Sequence, residues 1–172
     1  MTVIGITGPT GAGKTTVLKE IEALGGAVID CDAVYHEMLE SDRALQESLE
    51  RAFGPLRDGQ GAIDRKKLGA LVFGDPAKLE RLNAIAQRAV VQRTRQMVKE
   101  NRSRGIGLTA IDAFALLESG LADLCTTTVA VLAPAEARVA RIMAREGISE
   151  DYAWARVRAQ RPDQFFAEGC AH

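Results

Sequence analysis

The amino-acid sequence predicts an α/β fold, a parallel sheet flanked by helices, and three observations near its start carry that prediction. The chain opens on a short apolar run, Val3-Ile4-Gly5-Ile6-Thr7, such as a strand buried on both faces of a parallel sheet requires. A glycine-rich turn from Gly8 to Gly13 follows, and then helical spacing from Thr15 to Leu24 (Val17, Leu18, Ile21, Leu24), closed by Gly25-Gly26. Ala27-Val28-Ile29-Asp30 returns to strand, which completes a βαβ unit.

The later elements keep the alternation. From Ala33 to Arg104 the pattern is helical, with a glycine-rich break from Gly54 to Gly61. Asp75-Pro76 opens a long helix, Asp as cap and Pro at the first helical position, and its apolar residues Leu79, Leu82, Ile85, Ala89, Val90 and Met97 share one stripe. Ile106 to Asp112 and Thr127 to Leu132 read as strands. Pro134 begins an arginine-rich helix, and a further helix runs from about Ser149 to Gln160, with Trp154 as a packing residue. The expected architecture is a parallel sheet with a helical insertion after its second strand.

Bulk properties narrow the function classes. At 172 residues, 47% apolar and 26% charged, the chain has the length and composition of one globular domain. A net charge of -1 supplies no global pull toward nucleic acid or an anionic membrane, so neither is expected as a partner. Cys31, Cys125 and Cys170 are odd in number and without CxxC spacing, and two histidines make a poor metal-ligand set. No apolar run approaches the roughly 20 residues of a membrane span, and no basic-then-apolar leader precedes the first strand. The expectation is a cytoplasmic monomer.

Gly8-Pro9-Thr10-Gly11-Ala12-Gly13-Lys14-Thr15 matches G-x-x-x-x-G-K-[ST] at every fixed position, between a predicted strand and a predicted helix. Glycines let consecutive N–H groups curl around phosphate oxygens with no Cβ in the way, and the helix adds its positive end. Lys14 then reaches the β- and γ-phosphates, the Thr15 hydroxyl is a Mg²⁺ ligand, and Thr16 lies on the same helical turn. The fold class thereby sharpens to the P-loop NTPase fold, with ATP and Mg²⁺ as its cofactors. No N-K-x-D motif is present, and Asp58-Gly59-Gln60-Gly61 reads D-x-x-G only within a polar turn, which disfavours a GTPase.

Other residues carry two readings each on position alone. Asp32, just past the second strand, is either a base for an attacking hydroxyl or the N-cap of the next helix. Arg138, Arg141 and Arg145 share a helix face, as solvated charges or as a lid on phosphate oxygens. Asp112, ending the third strand, either stands near Mg²⁺ through water or caps a turn. Arg88, Arg93 and Arg95 form a solvated face or attract a pyrophosphate, while His36 reads as a surface or half-buried histidine.

A series of segments in order points to one family: Ile4-Gly5-Ile6-Thr7-Gly8 and the loop, Val28-Ile29-Asp30-Cys31-Asp32, Val72-Phe73-Gly74-Asp75-Pro76, Leu82-Asn83-Ala84-Ile85, Ile111-Asp112. Leu116-Leu117-Glu118-Ser119-Gly120-Leu121, Arg141 with Arg145, and Ala159-Gln160-Arg161-Pro162 complete it. Over essentially the whole chain this order resembles dephospho-CoA kinases. The resemblance implies transfer of the ATP γ-phosphate to the ribose 3′-hydroxyl of dephospho-CoA, with a kinase for another small nucleotide-like acceptor, or a catalytically impaired nucleotide-binding protein, as the alternatives. It implies a core over residues 1–32 and 105–133, a helical substrate-binding insert at about 33–104, and an arginine-bearing lid with its following helix at about 134–162.

Residue by residue, the resemblance makes Asp32 the catalytic carboxylate, with Lys14 and Arg141 at the reacting centre. It matches Arg141 and Arg145, rather than Arg138, to lid arginines on the nucleotide, and it puts Leu117 and Glu118 on the substrate side. Where family members carry His-Pro this chain has Gln87-Arg88, and the usual Pro-Leu-Leu-Phe-Glu run reads Phe114-Ala115-Leu116-Leu117-Glu118. The family continues past the equivalent of His172 with a strand, an adenine-side loop and a helix. On this reading those parts are missing, and a weaker grip on adenine is expected.

Overall fold

β1 (Thr2–Thr7) lies inside a four-stranded sheet of order β2-β3-β1-β4, in a computed structural model that describes residues 1–172. β2 is Ala27–Asp30, β3 Leu108–Asp112 and β4 Thr127–Ala130. β1 pairs in parallel with β3 (Val3 opposite Thr109, Ile6 opposite Asp112) and with β4 (Ile4 opposite Thr127, Thr7 opposite Ala130). The free side of β4 is met by His172, whose N–H donates to the Thr128 carbonyl at 3.1 Å and whose carbonyl accepts from Ala130 at 2.8 Å. α1 (Lys14–Ala23) packs on the sheet through Val17, Leu18 and Ile21, against Ile4, Ile6, Val28 and Ala110. Apolar side chains on successive parallel strands and on one stripe of α1 leave water together, which is the driving force of the βαβ unit.

The chain divides into two compact units, Asp30–Gln96 and the remainder. In the second unit, α6 (Ala135–Glu146) and α7 (Glu150–Arg158) pack through Val139, Ile142, Ala153 and Val157, and the partly buried Trp154 joins that cluster, as its packing role required. A short 3-10 turn covers Ala122–Leu124, and α8 spans Asp163–Gly169. Neither was expected from the sequence. Each is too short for helical periodicity to register.

The Asp30–Gln96 unit is helical. α2 (Cys31–Ser41) and α3 (Arg43–Phe53) are joined at Asp42, whose carboxylate accepts from the N–H of Leu45 at 2.9 Å. Buried Gln46 closes the end of α2 by donating to the carbonyls of Leu39 (3.0 Å) and Glu40 (3.1 Å), two of the groups a helix end leaves without an intrahelical partner. Asp58 accepts from the N–H groups of Gln60 and Ala62, beside an antiparallel bridge from Arg57 to Ile63: the D-x-x-G stretch is a polar turn. α4 (Arg65–Val72) and the long α5 (Pro76–Ser103) follow, and Asp75 caps α5 through the N–H of Lys78 at 3.1 Å. Leu49, Leu56 and Thr94 are the unit's most deeply buried side chains. No helix is long and apolar enough to cross a membrane.

Candidate active site

The glycine-rich loop becomes a cradle because its backbone turns where a side chain cannot follow. Gly8 leaves β1 at φ +138°, and a Cβ there would stand 2.2 Å from the carbonyl oxygen of Val131. Gly11, at φ +81°, lies so close to α6 that its Cβ would be 2.9 Å from the Arg138 carbonyl. Inside the loop the Ala12 N–H donates to the Pro9 carbonyl at 3.2 Å, and Lys14 Nζ donates to the Gly8 carbonyl at 2.9 Å. α1 starts on Gly13, which offers no side chain to cap it. The positive end of the helix is therefore presented to an anion, and Thr15 and Thr16 are exposed on that turn.

α6 lies along the outside of this loop. Arg141 Nη1 donates to the carbonyls of Gly11 (3.0 Å) and Ala12 (3.1 Å). Arg138, which the family resemblance set behind Arg141 and Arg145, is the buried one, with 4% of its side chain exposed. Its Nε donates to the Thr10 carbonyl at 3.2 Å, its Nη1 pairs with Asp163 at 2.9 Å, and its Nη2 donates to Gln160 Oε1 at 3.3 Å. The same Gln160 oxygen accepts the Thr10 N–H at 2.8 Å. Arg145 turns instead to Glu146 at 2.7 Å, and Arg156 pairs with the other oxygen of that carboxylate. These two arginines hold Glu146 below the usual carboxylate range.

At the end of β3 the carboxylate of Asp112 has one oxygen fully buried, in the register position opposite Ile6. The Thr15 hydroxyl and the Asp112 carboxylate are hard oxygen donors, the kind Mg²⁺ takes, so the residues suit that ion. Glu118 approaches Arg161 at 3.8 Å, and Leu117 packs where a Cβ on Gly169 of α8 would fall, 2.4 Å from Leu117 Cδ1.

In the helical unit the structure gives to Asp30 the capping role that position alone had left open for Asp32. Asp30 is the N-cap of α2, accepting the N–H groups of Asp32 (2.9 Å) and Ala33 (3.0 Å). Asp32 is exposed in the first helical turn, without the capping duty. The helix starts at Cys31, two residues earlier than the sequence pattern indicated, because the cap is Asp30. His36 is exposed and its Nε2 lies 3.1 Å from Arg65 Nη2. Burial pushes the Tyr35 phenol up, partly offset by the Arg65 charge. A groove of about 380 Å³ between α2, α3 and α5 has Met38, Leu45 and Ile85 in its floor and Arg81, Arg88 and Arg93 around it. Two of the arginines read from sequence thus share one groove, while Arg95 does not line it.

Gln160 and Asp163 were not singled out from sequence. Gln160 stood only within the Ala159-Gln160-Arg161-Pro162 segment, and no local spacing ties a residue there to Thr10, 150 positions away.

Comparison with known proteins converges on one family. The dephospho-CoA kinase family model matches residues 2–165. A dephospho-CoA kinase of Dehalococcoides mccartyi is 36% identical over 164 residues, covering 95% of this chain and 82% of that protein. One from Carboxydothermus hydrogenoformans is 37% identical over 161 residues, covering 93% and 78%. A crystal structure of a Thermus thermophilus protein superposes with a TM-score of 0.75 at 35% identity, covering 98% of this chain and 85% of that one.

Proposed function

Since the chain belongs to the dephospho-CoA kinase family, we propose that it transfers the γ-phosphoryl group of ATP to the ribose 3′-hydroxyl of dephospho-CoA, releasing coenzyme A and ADP. The observation that carries this reading is the uncapped start of α1 below a glycine loop whose outer carbonyls are held by Arg141. Such a cradle binds phosphates by backbone N–H groups and a helix end, and phosphoryl transfer needs little beyond positioning and charge stabilisation.

The roles divide by chemistry. Gly8 to Thr16 bind the triphosphate, with Lys14 as the cation among backbone amides. Thr15 and, through water, Asp112 would hold Mg²⁺, which supplies positive charge to the phosphates. Asp32 orients the acceptor hydroxyl and takes its proton, a role open to an exposed carboxylate freed of capping. Arg141 stabilises the charge that develops on the transferred group, with Arg145 as a second lid cation. Leu117 and Glu118 belong to the acceptor side. The arginine-rimmed groove of the helical insert suits the acceptor's diphosphate, and its apolar floor suits the arm beyond it. We further propose a cytoplasmic monomer with no nucleic-acid or membrane partner, in keeping with a net charge of -1.

A coupled assay of ADP release, with dephospho-CoA, adenosine and AMP offered in turn as acceptors, tests the assignment. Turnover with dephospho-CoA well above the other two is the expected result. Preference for AMP or adenosine would replace it with a different nucleotide kinase.

A further inference from the structure

We propose that Gln160 and Arg138 are positioning residues of the phosphate loop, which hold its peptide planes in the phosphate-binding orientation from outside. The proposal rests on the loop being the nucleotide site, and it concerns residues to which the motif assigns nothing.

The geometry begins with the peptide bond. Because the peptide is planar and trans, its C=O and the following N–H point in opposite directions. Arg138 holds the Thr10 carbonyl, and Arg141 holds those of Gly11 and Ala12. Three consecutive peptides therefore have their oxygens drawn toward α6. The N–H groups of Gly11, Ala12 and Gly13 are aimed the other way, into the loop, where the Ala12 N–H meets the Pro9 carbonyl. A loop this rich in glycine has many backbone conformations and cannot select this one alone. The guanidinium groups select it.

Gln160 completes the device. Its Oε1 accepts the Thr10 N–H at 2.8 Å and an Arg138 N–H at 3.3 Å. Both backbone polar groups of Thr10 are thus satisfied by the same pair of side chains. Arg138 is itself fixed by burial and by Asp163, so the pair is anchored on α6 and at the start of α8. Gln160 acts here only as an acceptor: one oxygen serves two donors. That distinction gives the test its sharpness, because Glu keeps the acceptor and Leu removes it with similar bulk.

The experiment is calorimetric titration of the full chain with ATP and Mg²⁺, without acceptor, for wild type, Gln160→Leu and Gln160→Glu. Steady-state KM values for ATP and for dephospho-CoA and a thermal unfolding curve accompany it. Leaving the Thr10 N–H and a buried guanidinium short of an acceptor is expected to weaken ATP binding about tenfold or more in the Leu variant. Gln160→Glu should recover to within about threefold, while KM for dephospho-CoA stays near wild type, and the unfolding midpoint falls in the Leu variant more than in the Glu variant. If Gln160→Leu does not fold, Gln160→Ala is read by the same criteria. Unchanged ATP affinity in the acceptor-free variant, a Glu variant as weak as the Leu variant, or equal weakening toward both substrates would overturn the proposal. A wild type that binds ATP yet ignores dephospho-CoA would defeat the functional assignment instead, and leave the titration readable.

Discussion

Asp30 accepts the backbone N–H of Asp32 at 2.9 Å, so one aspartate of the pair caps the helix and the other is free of that task. The two substitutions should therefore separate. Asp30→Ala removes an N-cap and is expected to cost about 1 kcal/mol of stability, read as a lower urea midpoint. Asp32→Asn should leave the midpoint within about 0.5 kcal/mol of wild type and lower kcat by about a hundredfold or more. Full turnover by Asp32→Asn would remove it from the reacting centre.

Gly8 and Gly25 both have positive φ, but only Gly8 is hemmed in by backbone. Gly25→Ala meets no atom within 4 Å and should cost only the price of its dihedral angle, about 1 kcal/mol. Gly8→Ala drives a methyl into the Val131 carbonyl, which cannot swing aside, and should cost upwards of about 2 kcal/mol and weaken ATP binding. Chemical denaturation of both variants checks the contrast. Equal losses would mean that the approach of Gly8 to Val131 is looser than described.

Arg141 and Arg145 are one helical turn apart and face different partners: loop carbonyls for one, Glu146 for the other. Arg141→Ala is expected to lower kcat by about a hundredfold or more, a discounted form of what transition-state arginines contribute. Arg145→Ala should have the smaller effect, since its guanidinium faces Glu146 at the helix end and not the phosphate loop. Steady-state kinetics with both substrates decide between them. A larger loss from Arg145→Ala would reverse the ranking.

Cys125 is packed against Gly5 of β1, with its Sγ 2.8 Å from where a Cβ would be, and burial pushes its thiol up to about 11. At pH 8 only about one molecule in a thousand carries the thiolate, so iodoacetamide should label Cys125 slowly until the chain unfolds. The sign of the linkage follows. The folded value lies above the unfolded one near 8.5, so this group's stability contribution is complete below about pH 8.5. It is lost as pH rises toward 11. The difference in urea midpoint between wild type and Cys125→Ala should narrow between pH 8 and pH 10.5, and a difference that stays constant would show that the thiol is not desolvated as described.

What the sequence determined by itself was whatever is local along the chain. Gly8 to Thr15 are contiguous, so the loop, the strand before it and the helix after it could be read together, and the βαβ opening with them. Asp75-Pro76 announced α5 for the same reason: a cap acts on an N–H three residues away. The tertiary structure decided everything that depends on distant partners or on side-chain direction. Asp30 and Asp32 are both within reach of the same helix start, and only the path of the backbone made the cap Asp30. Helical spacing put Arg138, Arg141 and Arg145 on one face, but it cannot say what that face meets. Packing against the loop buried Arg138, set Arg141 on two carbonyls and left Arg145 at the helix end. α8 and Gln160 went unread because seven residues carry too little periodicity, and because a hydrogen bond spanning 150 positions leaves no pattern in a single sequence. Local chemistry is encoded in spacing, whereas the partner of a long side chain is fixed only when the whole chain has closed around it.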